Sequence, residues 1–404
     1  MRSSLHRLTT LGGFHPALRI FTRIAILTVF LIALVSPVAA KELASDTGAF
    51  VDMPSGFTPG DGDGKTRFSY SDANNSMEFD ILILPPGRYR SAEIMAADLL
   101  GQMGSKGDIS SFTYQGRGAV IAELDFAAGD NPRTGHAVFI SGTPAAGTAR
   151  SENSYALVAS AESSQYDSHS ELIISCLDAF SIDRAARRFP GPVSQFLFPW
   201  PAARTEKKTA ILLAGSISLP WSSKEAQEEL SVAEREFRVV SMYLESTTLW
   251  VDAWARYYRM VYKESAARLD SLTKAFSDSL PENDPTESAR RVLAWVQGFR
   301  YERDFAGIDF VPPLTAAFEQ RGDCDSRAMV MAIILERLGI DSVLMVSREY
   351  SHAMLAVDVP GGGKRFTYKG KAYLVAETTA NVGIGTIDAS QADFSKWLGV
   401  DLGE

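Results

Sequence analysis

Of the two cysteines in the chain, Cys176 and Cys324, only the second has neighbours with which it could do chemistry. It lies in RGDCDSRAMV, residues 321–330, ahead of an apolar run with helical spacing at Val330, Ile333, Ile334 and Leu338. Asp323 is a natural N-cap for that helix, and Gly339 ends it in the expected C′ position. Cys324 then falls in the first turn, where unpaired backbone N–H groups and the positive end of the helix dipole favour a thiolate. The same N–H groups suit an oxyanion on a substrate carbonyl. Asp323 and Asp325 oppose the thiolate by like-charge repulsion, so a cationic partner is required. His352 meets that need: it opens a strand, SHAMLAVDV, that follows the helix. A later strand, KAYLVAETT, ends in Glu377, a carboxylate able to orient the imidazole and stabilise its protonated form.

Each residue also has a plainer reading. A histidine at a strand start is often structural, and Cys176, beside Ile173 and Leu177, reads as a buried inert thiol. A Cys176–Cys324 disulfide would consume the nucleophile, and stays open at this point.

Taken together, Cys324 in GDCD at a helix start, His352 in HAMLAV and Glu377 in ETT resemble the transglutaminase-like superfamily. The approach VLAWVQGFRYERDF, a helix running into a short extended piece, is similar to that family's layout. The resemblance spans about residues 285–380 and implies a papain-like helix and sheet. It makes Cys324 the nucleophile, His352 the general base and acid, and Glu377 the orienting acid, although the family usually has Asp in that last place. The implied activity is that of an exported thiol hydrolase cleaving amide bonds through an acyl-enzyme. An amine acceptor in place of water would make it an acyltransferase, and a non-catalytic scaffold that keeps the fold is the opposing class. The substrate implied is a protein or peptide, a cell-wall peptide among the options.

The elements that must position these residues give an α+β protein. Residues 46–183 alternate strand-like runs (TRFSYSD, SMEFDILILPP, SSFTYQG, GAVIAELDFA, GHAVFISG, SYALVASAE) with two helices. In the first helix Ser91 is the N-cap, and Ile94, Leu99 and Met103 are expected on one side. In the second, Leu172 to Phe180 are expected on an apolar face. This order, an antiparallel sheet covered by helices, resembles the PsbP/Mog1-like module. Four prolines mark 184–206 as a linker or a packed strap. Residues 207–404 then hold a strand, TAILLAGSISL, and a helical part leading into the papain-like domain. Ser222 with Glu225 and Asp284 with Glu287 form capping boxes. Trp250, Trp254, Tyr258 and Tyr262 recur at spacing four, a stripe expected to pack on a neighbouring helix.

Composition sets the outer limits. Arg2, Arg7, Arg19 and Arg23 precede the apolar run IAILTVFLIALV, and SPVAA follows, as in a secretory signal peptide over residues 1–40 cleaved after Ala40. Export to a periplasmic or extracellular space is therefore expected, with no membrane span after cleavage. Removing those four arginines from the 40 basic residues leaves 36 against 49 acidic, a net charge of −13 that repels nucleic acid. The three histidines past residue 40 have no zinc-ligand spacing, and DGDG at 61–64 reads as a turn rather than a calcium loop. Neither a cofactor nor a metal is expected.

Overall fold

Strand alternation builds the first layer. In the computed structural model, which describes residues 41–43, 48–144, 152–213, 215–280, 284–303, 308 and 310–403, MEFDILIL forms Met77–Leu84 (β5) with alternately buried and half-buried side chains. It lies in a seven-stranded antiparallel sheet with Thr58–Pro59 (β3), Arg67–Ser71 (β4), Ile109–Tyr114 (β6), Arg117–Ala128 (β7), Asn131–Pro144 (β8) and Ser154–Glu162 (β9). The strand order is β3-β4-β5-β9-β8-β7-β6. The central strand β9 is buried on both faces because each face carries a helix. Tyr155, Leu157 and Ala159 join one core with Tyr166–Asp178 (α2), while Ala156 and Val158 join another with Ala92–Met103 (α1). A three-stranded antiparallel sheet beside α2 has Phe50–Val51 (β2) at its centre, paired with Lys41–Glu42 (β1) on one side and Phe180–Ser181 (β10) on the other.

Several expectations meet the structure differently. Ser91 does cap α1, yet Ile94 is 52% exposed and the inward set is Ala92, Met95 and Ala96. Their i, i+3, i+4 spacing is what a helix lying on β7 and β8 buries. Helix α2 stops at Asp178, because Phe180 is taken into β10. The run TAILLAGSISL is a hairpin, Glu206–Leu212 (β11) and Gly215–Trp221 (β12), turning where Gly215 adopts φ +121°. The proline-rich stretch is a packed strap: it contains a short helix, Pro192–Leu197 (α3), whose first turn is held by Asp178. One Asp178 oxygen accepts from the Val193 and Ser194 amides at 2.7 and 2.9 Å, and the other from Ser194 Oγ at 2.7 Å. The leader lies outside the described residues.

The second half is helical before it returns to sheet. Ser222 and Asp284 cap Ser223–Ser241 (α4) and Pro285–Gln297 (α7) through the Glu225 and Glu287 amides. The return half of each expected box is not made, since Glu225 is taken by Arg204 and Glu287 by Arg290 and Arg291. Between them run Trp250–Ser265 (α5) and Asp270–Ser277 (α6). A pair of two-residue parallel strands, Arg300–Tyr301 (β13) and Arg321–Gly322 (β14), and the helix Pro313–Glu319 (α8) lead into Cys324–Arg337 (α9). Helix α9 is apolar almost all round, with Ser326 through Leu335 buried, so it belongs inside the molecule. It packs against α7 and α8 and on a five-stranded antiparallel sheet. That sheet comprises Ser342–Ser347 (β15), His352–Val357 (β16), Arg365–Tyr368 (β17), Lys371–Ala376 (β18) and Leu398–Val400 (β19), ordered β17-β18-β16-β15-β19.

Helix α5 joins the halves. Arg259 grips both oxygens of Asp52 at 2.6 and 2.7 Å, and Arg256 donates to the Asp52 and Ser175 carbonyls while pairing with Glu236 at 3.2 Å. Lys263 donates to the Phe180 carbonyl and to Ser181 Oγ. All three basic side chains are buried. Removing one partner of such a pair strands a charge, at a cost of about 3–5 kcal/mol. Asp52→Ala is expected to lower the unfolding free energy by about that amount, measured by urea denaturation. Arg238→Ala, which breaks the exposed pair with Glu171, is expected to cost under about 1 kcal/mol. Equal effects from the two substitutions would contradict this ranking.

Candidate functional site

Of the three residues picked out by type and spacing, His352 contacts Glu377, and His352 and Cys324 line one cleft at the start of α9. Asp323 caps the helix, accepting from the Ser326 amide at 2.9 Å and from Ser326 Oγ at 2.8 Å. Ser326 Oγ in turn accepts from the Val311 amide at 3.0 Å, which fixes the incoming chain to the helix end. Cys324 is 8% exposed, and the Ala353 backbone N–H donates toward its sulfur. Ala353 follows His352 in β16, so the strand that carries the imidazole reaches the Cys324 sulfur.

His352 Nε2 lies 2.8 Å from Glu377 Oε2. The other Glu377 oxygen accepts from the Thr379 amide at 2.7 Å and the Thr379 hydroxyl at 2.6 Å. Burial pushes the Glu377 carboxyl up, but the bonds to His352 and Thr379 outweigh it and hold the group below the usual carboxylate range. An ionised carboxylate can only accept, so Nε2 is the ring nitrogen that donates to Glu377. Gln297 Nε2 anchors the segment by donating to the Glu377 and Val382 carbonyls at 2.8 and 2.9 Å. Buried Arg327 ties α9 to the carbonyls of Phe299 at 2.6 Å and Gly322 at 3.2 Å. Trp397 presents to the His352 ring in a T-shaped contact with centroids 6.1 Å apart.

Above these residues opens a cleft of about 330 Å³. Cys324, Asp325 and His352 line it, with Val346, Ser347 and Arg348 from the end of β15. Trp250, Trp254 and Tyr258 from α5 also line it. The spacing-four aromatics expected to pack on a helix are therefore divided. Trp254 does meet Phe237 of α4, but three of the four rings face the cleft, and Tyr262, one turn on, is buried. Both cysteines are free. Among the described residues no group of three or more His, Cys, Asp or Glu side chains suits a metal ion, and no helix is long and apolar enough to cross a membrane.

Comparison with known proteins adds little to this geometry. No protein-family model matches the sequence, and no curated protein sequence matches it. Among solved structures the N-terminal region is similar to the solution structure of cyanobacterial PsbP (CyanoP) from Synechocystis sp. PCC 6803. The match has a TM-score of 0.28 and 13% identity, over 35% of this chain and 89% of that one.

The electrostatics differ from the simple expectation of a helix start that ionises the thiol. Burial first, then the charges of Asp325 and Asp323, raise the Cys324 thiol well above its ordinary range. A helix terminus offsets only about 0.3–1 kcal/mol, less than one unit of pKa. The helix start therefore does not by itself bring this thiol into the thiolate range.

Asp325 sits between Tyr258 and the thiol, accepting from the Tyr258 hydroxyl at 3.1 Å and from Cys324 Sγ at 3.6 Å. Sequence inspection flagged Asp325 only as a repulsive charge. Tyr258 is legible only as part of the aromatic stripe, and Gln297 and Arg327 not at all, because the partners that give them their place are 67, 80 and 28 residues away.

Burial, and next the Asp323 charge, push the Asp325 carboxyl up to about 7. Its folded pKa thus lies above its unfolded one, so the native state keeps a proton that the unfolded chain has released from about pH 4 upward. Its contribution to stability falls as pH rises from about 4 to about 7. Asp325→Asn has no such proton to lose. The melting temperature of the variant minus that of the wild type is expected to become more positive between pH 5 and pH 8. A constant difference would contradict the assignment.

Proposed function

We propose that this protein is an exported thiol hydrolase of the transglutaminase-like type, cleaving amide bonds in a protein or peptide substrate. What supports the reading above all is the 2.8 Å contact between His352 Nε2 and Glu377 Oε2, made at the edge of a cleft that Cys324 also lines. With Nε2–H engaged by Glu377, Nδ1 of His352 takes the Cys324 proton as sulfur attacks the scissile carbonyl carbon. First-turn amides of α9 are suited to the oxyanion. Collapse of the tetrahedral intermediate breaks the C–N bond, and the imidazolium gives its proton to the leaving amine. Water, deprotonated by His352, then attacks the thioester and releases the acid and the thiol. An amine in place of water would turn the same cycle into acyl transfer.

The thiol–imidazole pair is testable without knowing the substrate. Iodoacetamide at pH 7.5 is expected to alkylate Cys324 much faster than Cys176, whose thiol burial raises to about 12 and whose side chain is fully enclosed. His352→Ala is expected to slow Cys324 labelling by about tenfold or more, and Glu377→Gln to slow it less, followed by peptide mass spectrometry. Equal labelling of the two cysteines, or no effect of His352→Ala, would sink the proposal.

A further inference from the structure

Arg256, Arg259 and Lys263 have partners across the junction of the halves, but a fourth buried cation there is held differently. Arg187 lies on the strap, in the one-turn helix Ala185–Arg188, and is 9% exposed. Among the described residues its guanidinium makes no ion pair, and its Nη1 is buried without a hydrogen-bond partner. The group rests over the Phe50 ring, 5.2 Å from the centroid. It also lines a cavity of about 20 Å³ together with Asp52, Ser181, Arg259, Lys263 and Leu402. The strap, the strands β2 and β10, α5 and the segment after β19 therefore meet at one point.

The charges around this cavity do not balance. Its lining carries three basic groups against one carboxylate, and Arg259 already covers both oxygens of Asp52. Asp401, beside Leu402, also acts on Arg187, and it is bonded to Lys369 at 2.7 Å. Burial nevertheless lowers the Arg187 guanidinium below its ordinary range, with Arg259 and Arg184 adding to the effect. Burial lowers the Lys263 ammonium to about 7, with Arg187 and Arg256 acting in the same sense against Asp178 and Asp52. Arg187 and Lys263 thus repel each other across the cavity they share. Lys263 uses two of its three N–H groups on the Phe180 carbonyl and Ser181 Oγ, which leaves one. A buried guanidinium without a partner is strongly destabilising, and a group of opposite charge removes that cost. The volume takes one water or one monatomic anion, a single water needing about 10–15 Å³, and excludes sulfate or phosphate. Water would satisfy Nη1 but leave the charge unbalanced.

We infer that this cavity binds one small monovalent anion of chloride size, held by Arg187 and Lys263, which fastens the two halves together at α5. The ion accepts from the Arg187 guanidinium and from the remaining N–H of Lys263, and it cancels their repulsion. Because α5 also carries Trp250, Trp254 and Tyr258, the same ion steadies the aromatic wall of the cleft. The site stands apart from the hydrolase reading and does not depend on it.

Thermal unfolding of the full chain tests it, with sodium gluconate exchanged stepwise for sodium chloride at constant ionic strength. The melting temperature is expected to rise by about 2 °C or more and then level off, since the ion binds only the folded chain. Arg187→Gln is expected to abolish that response, while Arg184→Gln, on an exposed neighbour, keeps it. Wild-type crystals grown in sodium bromide are expected to show an anomalous bromide peak beside Arg187 and Lys263, whatever the variants do. The inference is overturned if the peak is absent, if melting is indifferent to chloride, or if Arg187→Gln responds as the wild type does. A peak without a melting response marks an adventitious ion only and overturns it likewise.

Discussion

A buried helix start must have its amides satisfied, and the organisation around Cys324 follows from how that is done. Helix α9 lies inside the protein, so its first turn cannot rely on water. Asp323 meets the requirement from within the chain, binding the Ser326 amide and hydroxyl, and the hydroxyl then takes the Val311 amide. With those groups occupied, Cys324 is left at the rim with its sulfur toward the cleft and toward the Ala353 N–H. Cap, thiol and strand register are one arrangement. Moving the helix by a residue would exchange Cys324 for a carboxylate.

The cost of this arrangement is electrostatic. Two carboxylates flank the thiol, one held there as a cap and the other by Tyr258. Both disfavour thiolate, and burial disfavours it further. Against them stands a histidine whose Nε2 is held by Glu377, itself kept ionised by His352 and by Thr379. The balance leaves a thiol held protonated in a cleft that His352 also lines.

Helix α5 gives the N-terminal half a part in that balance. Its Arg256, Arg259 and Lys263 are buried against Asp52, α2 and β10, while Trp250, Trp254 and Tyr258 line the cleft. The helix can serve two masters because 3.6 residues per turn put these sets on different sides. Whatever seats α2 and β10 against α5 therefore also seats the aromatic side of the cleft.

Local signals told much of this from sequence. The caps at Ser91, Ser222, Asp284 and Asp323 were readable because a capping side chain and its amide partner are three residues apart. Strand alternation in β5 and the order of Cys324, His352 and Glu377 were readable for the same reason: each is a matter of short-range pattern. The outward turn of Ile94, the hairpin in TAILLAGSISL and the packed course of the proline-rich strap were not, since neighbours distant in sequence decide which side of an element is covered. The site divides likewise. Residue type and order determined which side chains could act as nucleophile, base and orienting acid. Only the tertiary structure decided that His352 meets Glu377 through Nε2, that α5 lends its aromatic rings to the cleft, and that Asp325 sits between Tyr258 and the thiol. The His352–Glu377 and Tyr258–Asp325 contacts join residues 25 and 67 positions apart, and no local pattern can encode the packing that brings them within hydrogen-bond reach.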